Sequence, residues 1–123
     1  MLKRSFFPLL SVLILVACAA SGGGDPARIV EKYIQAKIKG DSTTMRGLLC
    51  SEMEAHLQQE ANTFTGVTGV SLEGMSCKRD GENTVRCQGK IVALYGTEKM
   101  DFPLVAYRVV QEDGEWKWCG ETQ

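Results

Sequence analysis

Val70-Ser71-Leu72-Glu73-Gly74-Met75-Ser76-Cys77-Lys78 is where the chain changes rhythm. Before it, apolar residues recur every three or four positions, the spacing of one helix face. From Val70 onward the period shifts toward two, the spacing of one strand face. Residues 70–78, 84–95, 99–111 and 115–121 therefore read as four strands. Their connectors, Asp80-Gly81-Glu82-Asn83, Gly96-Thr97-Glu98 and Asp113-Gly114, carry turn chemistry. Consecutive strands with short turns make an antiparallel meander. Pro103 cannot donate to a ladder, so it predicts an edge position or a bulge. Alternation puts Trp116 and Trp118 on one face of the last strand, with Lys117 and Cys119 on the other.

Working back toward the N-terminus, Asp25-Pro26 reads as a helix start, an N-cap followed by proline at the first helical position. Ile29, Val30, Tyr33, Ile34 and Ile38 lay one apolar face along that helix, and Gly40 terminates it. Asp41 or Ser42 can cap a short second helix bearing Met45, Leu48 and Leu49. Ser51 with Glu54 has the capping-box pattern and predicts a third helix, striped by Met53, Leu57, Ala61 and Phe64. Residues 63–69 read as a loop. Helices first and a bent antiparallel sheet second is an α+β order, with the helices packed in a curved, four-stranded, cone-like meander.

The first seventeen residues read as an address. Lys3 and Arg4 precede an apolar run from Phe6 to Ala17, the order of a secretory signal peptide. The run is shorter than the ~20 apolar residues a membrane span needs. Leu15-Val16-Ala17-Cys18 resembles a lipobox, which implies cleavage before Cys18 and lipid on its thiol; the alternative is an ordinary signal peptide cut near Ala20. Residues 18–24 would then be a lipidated cysteine and flexible tether, reaching about 20 Å from the membrane. Residues 25–123 would form one domain. Ala19, rather than Asp, implies the outer membrane where the host is Gram-negative.

Removing residues 1–17 takes two of fourteen basic residues and no acidic one, leaving twelve against fifteen, a net charge of −3. No basic run follows, which argues against nucleic-acid binding and against electrostatic docking on anionic lipid. Four cysteines remain, Cys50, Cys77, Cys87 and Cys119. Outside the cytosol an even count predicts two disulfides, with three pairings available. Cys77 and Cys87 flank a turn and are paired on that ground, which leaves Cys50 with Cys119. The rival is a zinc site with His56, but no Cys-x-x-Cys pair is present.

The N-terminal amphipathic helix, Gly40-Asp41, Leu48-Leu49-Cys50 and the ending Trp116-Lys117-Trp118-Cys119-Gly120 together resemble the nuclear-transport-factor-like superfamily. Within it they are most similar to small exported lipoproteins of unknown function, over about residues 25–121. The resemblance implies a cone, a curved sheet wrapping a long helix, often around a pocket. It also implies that the two cysteine motifs are disulfide partners, supporting Cys50–Cys119; Cys77–Cys87 rests on the turn. The superfamily hosts isomerases, dehydratases, partner-binding proteins and lipoproteins, and fold does not fix function.

Enzymes on such a fold place an acid–base pair in the pocket, because one group must take a proton while another stabilises developing charge. The candidates for pocket residues are Tyr33, Asp101, Tyr107, Trp116 and Trp118, with Tyr95 and His56 behind them. Each has a plainer reading. Tyr33 is a core residue of the apolar stripe, and Tyr95 a strand-end aromatic. His56 is a solvated helix residue, and the tryptophans pack the last strand against a helix. Asp101 and Tyr107 share a face only if alternation survives Pro103. No nucleophile elbow, phosphate loop or paired histidines are present. The expectation is a non-catalytic domain without cofactor or metal. Its partners would be the membrane, through lipid on Cys18, with an envelope protein or small apolar ligand and a homodimer as candidates. An isomerase- or dehydratase-type enzyme and a passive self-associating envelope protein are the rivals. Cys18→Ser is expected to release the protein from membranes or leave it uncleaved; unchanged fractionation and processing would refute the anchor.

Overall fold

The computed structural model describes residues 24–122. The leader over residues 1–17, the lipidation site Cys18 and the tether up to Gly23 lie outside the described residues, as does Gln123. Among the described residues no helix is long and apolar enough to cross a membrane.

Helix α1 (Pro26–Lys39) begins where the Asp25 carboxylate accepts the Ala27 N–H at 2.9 Å, and ends at Gly40 in the left-handed conformation. Val30, Tyr33 and Ile34 are buried on one face, with Ile29 and Ile38 half-buried at its margins. Helix α2 (Ser42–Leu48) is capped by Asp41, whose carboxylate accepts from the Thr44 N–H and hydroxyl. The third expected helix differs from its reading. Residues Ser51–His56 form a 3₁₀ helix without a side-chain cap, followed by the short α3 (Leu57–Ala61). The capping box fails because Glu112 takes both Ser51 donors: its carboxylate accepts from the Ser51 N–H at 3.0 Å and from the hydroxyl at 2.8 Å.

The sheet corrects the four-strand expectation to five. After β1 (Gly69–Arg79) and β2 (Thr84–Tyr95), the run expected over residues 99–111 divides into β3 (Glu98–Pro103) and β4 (Ala106–Glu112), and β5 (Glu115–Glu121) follows. The break falls just after Pro103, which has no N–H to continue the ladder. Strands β3 and β4 lie along the same edge of β2, so the antiparallel meander order persists, with β5 beyond β4.

Two register shifts meet at Gly89 and curve this sheet. Glu73 faces Lys90 and Ser76 faces Gln88, so Gly74 and Met75 of β1 stand opposite Gly89 alone. On the other edge, pairing runs Lys90↔Pro103 and then Arg86↔Ala106, with Leu104 and Val105 opposite three residues of β2. Bulges of this kind bend a strand and increase its twist. Gly89 has φ 99°, and a Cβ there would lie 2.6 Å from the Glu73 carbonyl oxygen and from the backbone of Gly74. No side chain fits. The curled sheet packs on α1 through β1, β2, β4 and β5, around a core that includes Val30, Tyr33, Met45, Val85 and Val109.

The disulfides are Cys50–Cys119 and Cys77–Cys87. The second joins directly opposed residues of β1 and β2. The first ties the segment after α2 to β5, where the Cys50 N–H also donates to the Trp118 carbonyl at 2.9 Å. Gly89→Ala is expected to cost more than about 2 kcal/mol through backbone strain and clash. Urea denaturation measures this, and a loss below about 0.5 kcal/mol would show that the bend does not depend on Gly89.

Candidate functional site: an aromatic cavity in the cone

Curling the sheet over α1 leaves a cavity of about 380 Å³ inside, within the ~300–1,000 Å³ of small-molecule sites. Its deep wall is made by the buried rings of Tyr33 on α1, Tyr107 on β4 and Trp118 on β5. Tyr33 and Trp118 stack with centroids 3.9 Å apart and planes 12° from parallel, and Tyr107 lies 6.5 Å from Trp118, tilted by 45°. Such pairs add about 0.5–1.5 kcal/mol beyond their buried area. Ile34, Ile91 and Leu104 supply aliphatic wall. Nearer to solvent stand Met53, the edge-to-face pair Phe64 and Phe102, and the exposed Tyr95.

Three of the five expected pocket residues, Tyr33, Tyr107 and Trp118, thus converge, and two stand elsewhere. Asp101 is exposed and paired with Lys90 at 2.8 Å, and the hydrogen bond from that ammonium holds its carboxyl below the usual range. The physical reason is phase. Phe102 and Leu104 face the cavity, the strand breaks after Pro103, and Tyr107 then faces it on the opposite parity. Trp116 is buried at the far end of β5, where the Arg79 guanidinium sits 5.1 Å over its ring. Two residues along a strand span nearly 7 Å, enough to separate it from the cavity that Trp118 enters. His56 is exposed on the 3₁₀ helix, outside the cavity. Cys50, Glu52 and Cys119 come within 4.8 Å of one another. Both sulfurs are committed to the disulfide, however, and Glu52 pairs with Arg108.

Three charged residues of the site escaped the sequence reading, Lys37, Glu60 and Glu121 on β5, and the first two form a pair. Lys37 follows Tyr33 by one helical turn, so both project from one face of α1. Glu60 arrives from α3. The Tyr33 hydroxyl donates to Glu60 Oε1 at 2.8 Å, and Lys37 Nζ donates to Oε1 and Oε2 at 3.1 and 3.2 Å. A lysine on the margin of an apolar helix face was the available signal for one of them. Nothing local marked Glu60, because its role depends on how α3 folds back.

Burial, then the hydrogen bond to Glu60 and that group's charge, push the Tyr33 phenol far above its ordinary value. Tyr107 is also raised, first by burial and then by the charges of Glu121 and Glu60, against a weak hydrogen bond from the Val105 N–H at 3.4 Å. Unfolded phenols ionise near pH ~10 while these two stay protonated. Above that pH the folded state binds more protons than the unfolded state, so stability falls as pH rises. Tyr33→Phe is expected to cost about 1 kcal/mol at pH 8 through the lost hydrogen bond but to flatten the alkaline loss. Urea titrations at pH 8 and 11 measure both, and an unchanged alkaline slope would refute the assignment.

No protein-family model matches the chain, and no curated protein matches it in sequence. Solved structures do. A variant of Rd1NTF2_05 aligns with TM-score 0.54 at 14% identity, over 76% of this chain and 92% of that one. An NTF2-like protein of unknown function in nutrient uptake, from Rhodospirillum rubrum, aligns with TM-score 0.50 at 19% identity, over 79% and 95%. A SEC-C motif-containing protein from Rhodopseudomonas palustris aligns with TM-score 0.51 at 9% identity, over 80% of each chain. At such identities the likeness is one of fold, and the fold is that of the nuclear-transport-factor-2-like (NTF2-like) cone.

Proposed function

We propose that this chain is an exported, lipid-anchored binding protein whose cone holds a small, largely apolar ligand without transforming it. The cavity carries the reading: it is preformed, of ligand size, and walled mainly by aromatic and aliphatic side chains with a few polar groups near Lys37. Two disulfides in so small a domain support an oxidising compartment. The lipobox-like Leu15-Val16-Ala17-Cys18 supports attachment to the outer face of the cytoplasmic membrane, or to the outer membrane of a Gram-negative host given Ala19.

The polar groups favour holding over turnover. A general base needs a free lone pair aimed at the substrate, and an acid needs a proton it can give up. Glu60 already accepts from Tyr33 and from Lys37 at both oxygens, and the raised Tyr33 is a poorer acid than a free phenol. A second reading, an isomerase- or dehydratase-type enzyme, has one observation in its favour: three phenols, Tyr33, Tyr95 and Tyr107, and two carboxylates, Glu60 and Glu121, line one cavity.

Native mass spectrometry of the mature protein, purified gently from an oxidising compartment, tests the proposal. The expected result is an added mass that leaves on denaturation and is chemically unchanged after prolonged incubation. A ligand that is converted would establish the enzymatic reading. A bare mass against every envelope extract would overturn the small-ligand reading in favour of a partner protein.

A further inference from the structure

The walls of this cavity combine two features that seldom meet in a purely apolar site. One is density of aromatic rings: Tyr33, Tyr107 and Trp118 in depth, Phe64, Phe102 and Tyr95 toward solvent. The other is the sign of its charge. The cavity is lined by three charged side chains, Lys37, Glu60 and Glu121. Lys37 and Glu60 neutralise each other through the 3.1 Å ion pair. Glu121 is exposed on β5, directly across from Tyr107, and no hydrogen bond or ion pair engages its carboxylate among the described residues. The remaining charge on the cavity wall is therefore negative. The Tyr107 phenol, held neutral first by burial, is held so further by the charge of Glu121 across the ladder.

Aromatic ring faces are the negative ends of quadrupoles and attract cations, most strongly cations that shed water easily, such as substituted ammonium groups. A carboxylate at the rim adds long-range attraction and selects against anionic ligands. We infer that the ligand of this cavity is an organic cation, an amine or quaternary ammonium group joined to an apolar or aromatic body, with the body against Phe64, Phe102 and Leu104 and the charge between Tyr107 and Glu121. This rests on the small-ligand reading and narrows it to one chemical class.

Phenyltrimethylammonium and tert-butylbenzene differ by one charge and almost nothing in shape, so they separate charge from size. Binding of each to the mature, disulfide-bonded protein is followed by the Trp118 indole N–H resonance of ¹⁵N-labelled protein. The expected result is a cation that binds at least about tenfold tighter than its neutral isostere, with a preference that Glu121→Gln reduces about threefold or more. Glu121 is exposed and glutamine is isosteric, so the variant folds as the parent does; an unaltered amide spectrum verifies this. If the neutral compound binds as tightly or tighter, the cavity is an apolar site, and the cation assignment falls while the small-ligand reading stands. If the preference survives intact in Glu121→Gln, the assignment of the charge to that carboxylate is overturned. If neither compound shifts the resonance at millimolar concentration, both the inference and the reading it rests on fail.

Discussion

The close approach of the β2 backbone at Gly89 to the carbonyl of Glu73 is the constraint on which the rest of the molecule depends. A regular β1–β2 ladder would be gently twisted and would lie flat against α1, leaving an ordinary helix-on-sheet core. Two opposed register shifts at one glycine instead fold the sheet across its own width. The far part of β2, with β3, then stands off from α1, and the space between becomes the cavity. Pro103 ends β3 near the same place, so the break between β3 and β4 and the bulge in β1 act together.

The second organising feature is Trp118. Its ring stacks on Tyr33, its carbonyl accepts the Cys50 N–H, and its neighbour Cys119 is bonded to Cys50. One dipeptide of β5 thereby fixes the helix, the segment after α2 and the deep wall of the cavity. The disulfide limits the freedom of the unfolded chain, while the stack sets the orientation of the ring in the folded one. Met53, on the 3₁₀ helix that starts at Ser51, directly after Cys50, reaches the cavity because that segment is tied down.

Much of this was legible in the residues themselves. The apolar stripe of α1, the Asp25-Pro26 start and the Gly40 stop are local signals, and they determine local structure. The strands from Val70 onward follow from alternation, and Pro103 announces a disturbance, though not its size. What the residues hid was non-local. Ser51 and Glu54 form a sound capping pattern, yet a carboxylate from residue 112 takes the Ser51 N–H that Glu54 would accept and draws the Ser51 hydroxyl to itself as a donor. The parity change between Leu104 and Tyr107 cannot be read from spacing, so Asp101 looks like a partner of Tyr107 and is not. Glu60 joins the site only because α3 folds back onto α1, and its sequence neighbourhood carries no trace of that.

Helix α1 also gives the domain a direction. Gly24, just ahead of its first turn, lies beside Glu82, Asn83 and Trp116, whereas Lys37, in its last turn, borders the cavity. Fourteen residues separate these poles by about 20 Å. If the chain is held to a membrane by residue 18, the surface-bound pole is the one away from the opening. The opening then lies about one helix length from the attachment point, so a tether joined there would leave the mouth of the cavity unobstructed.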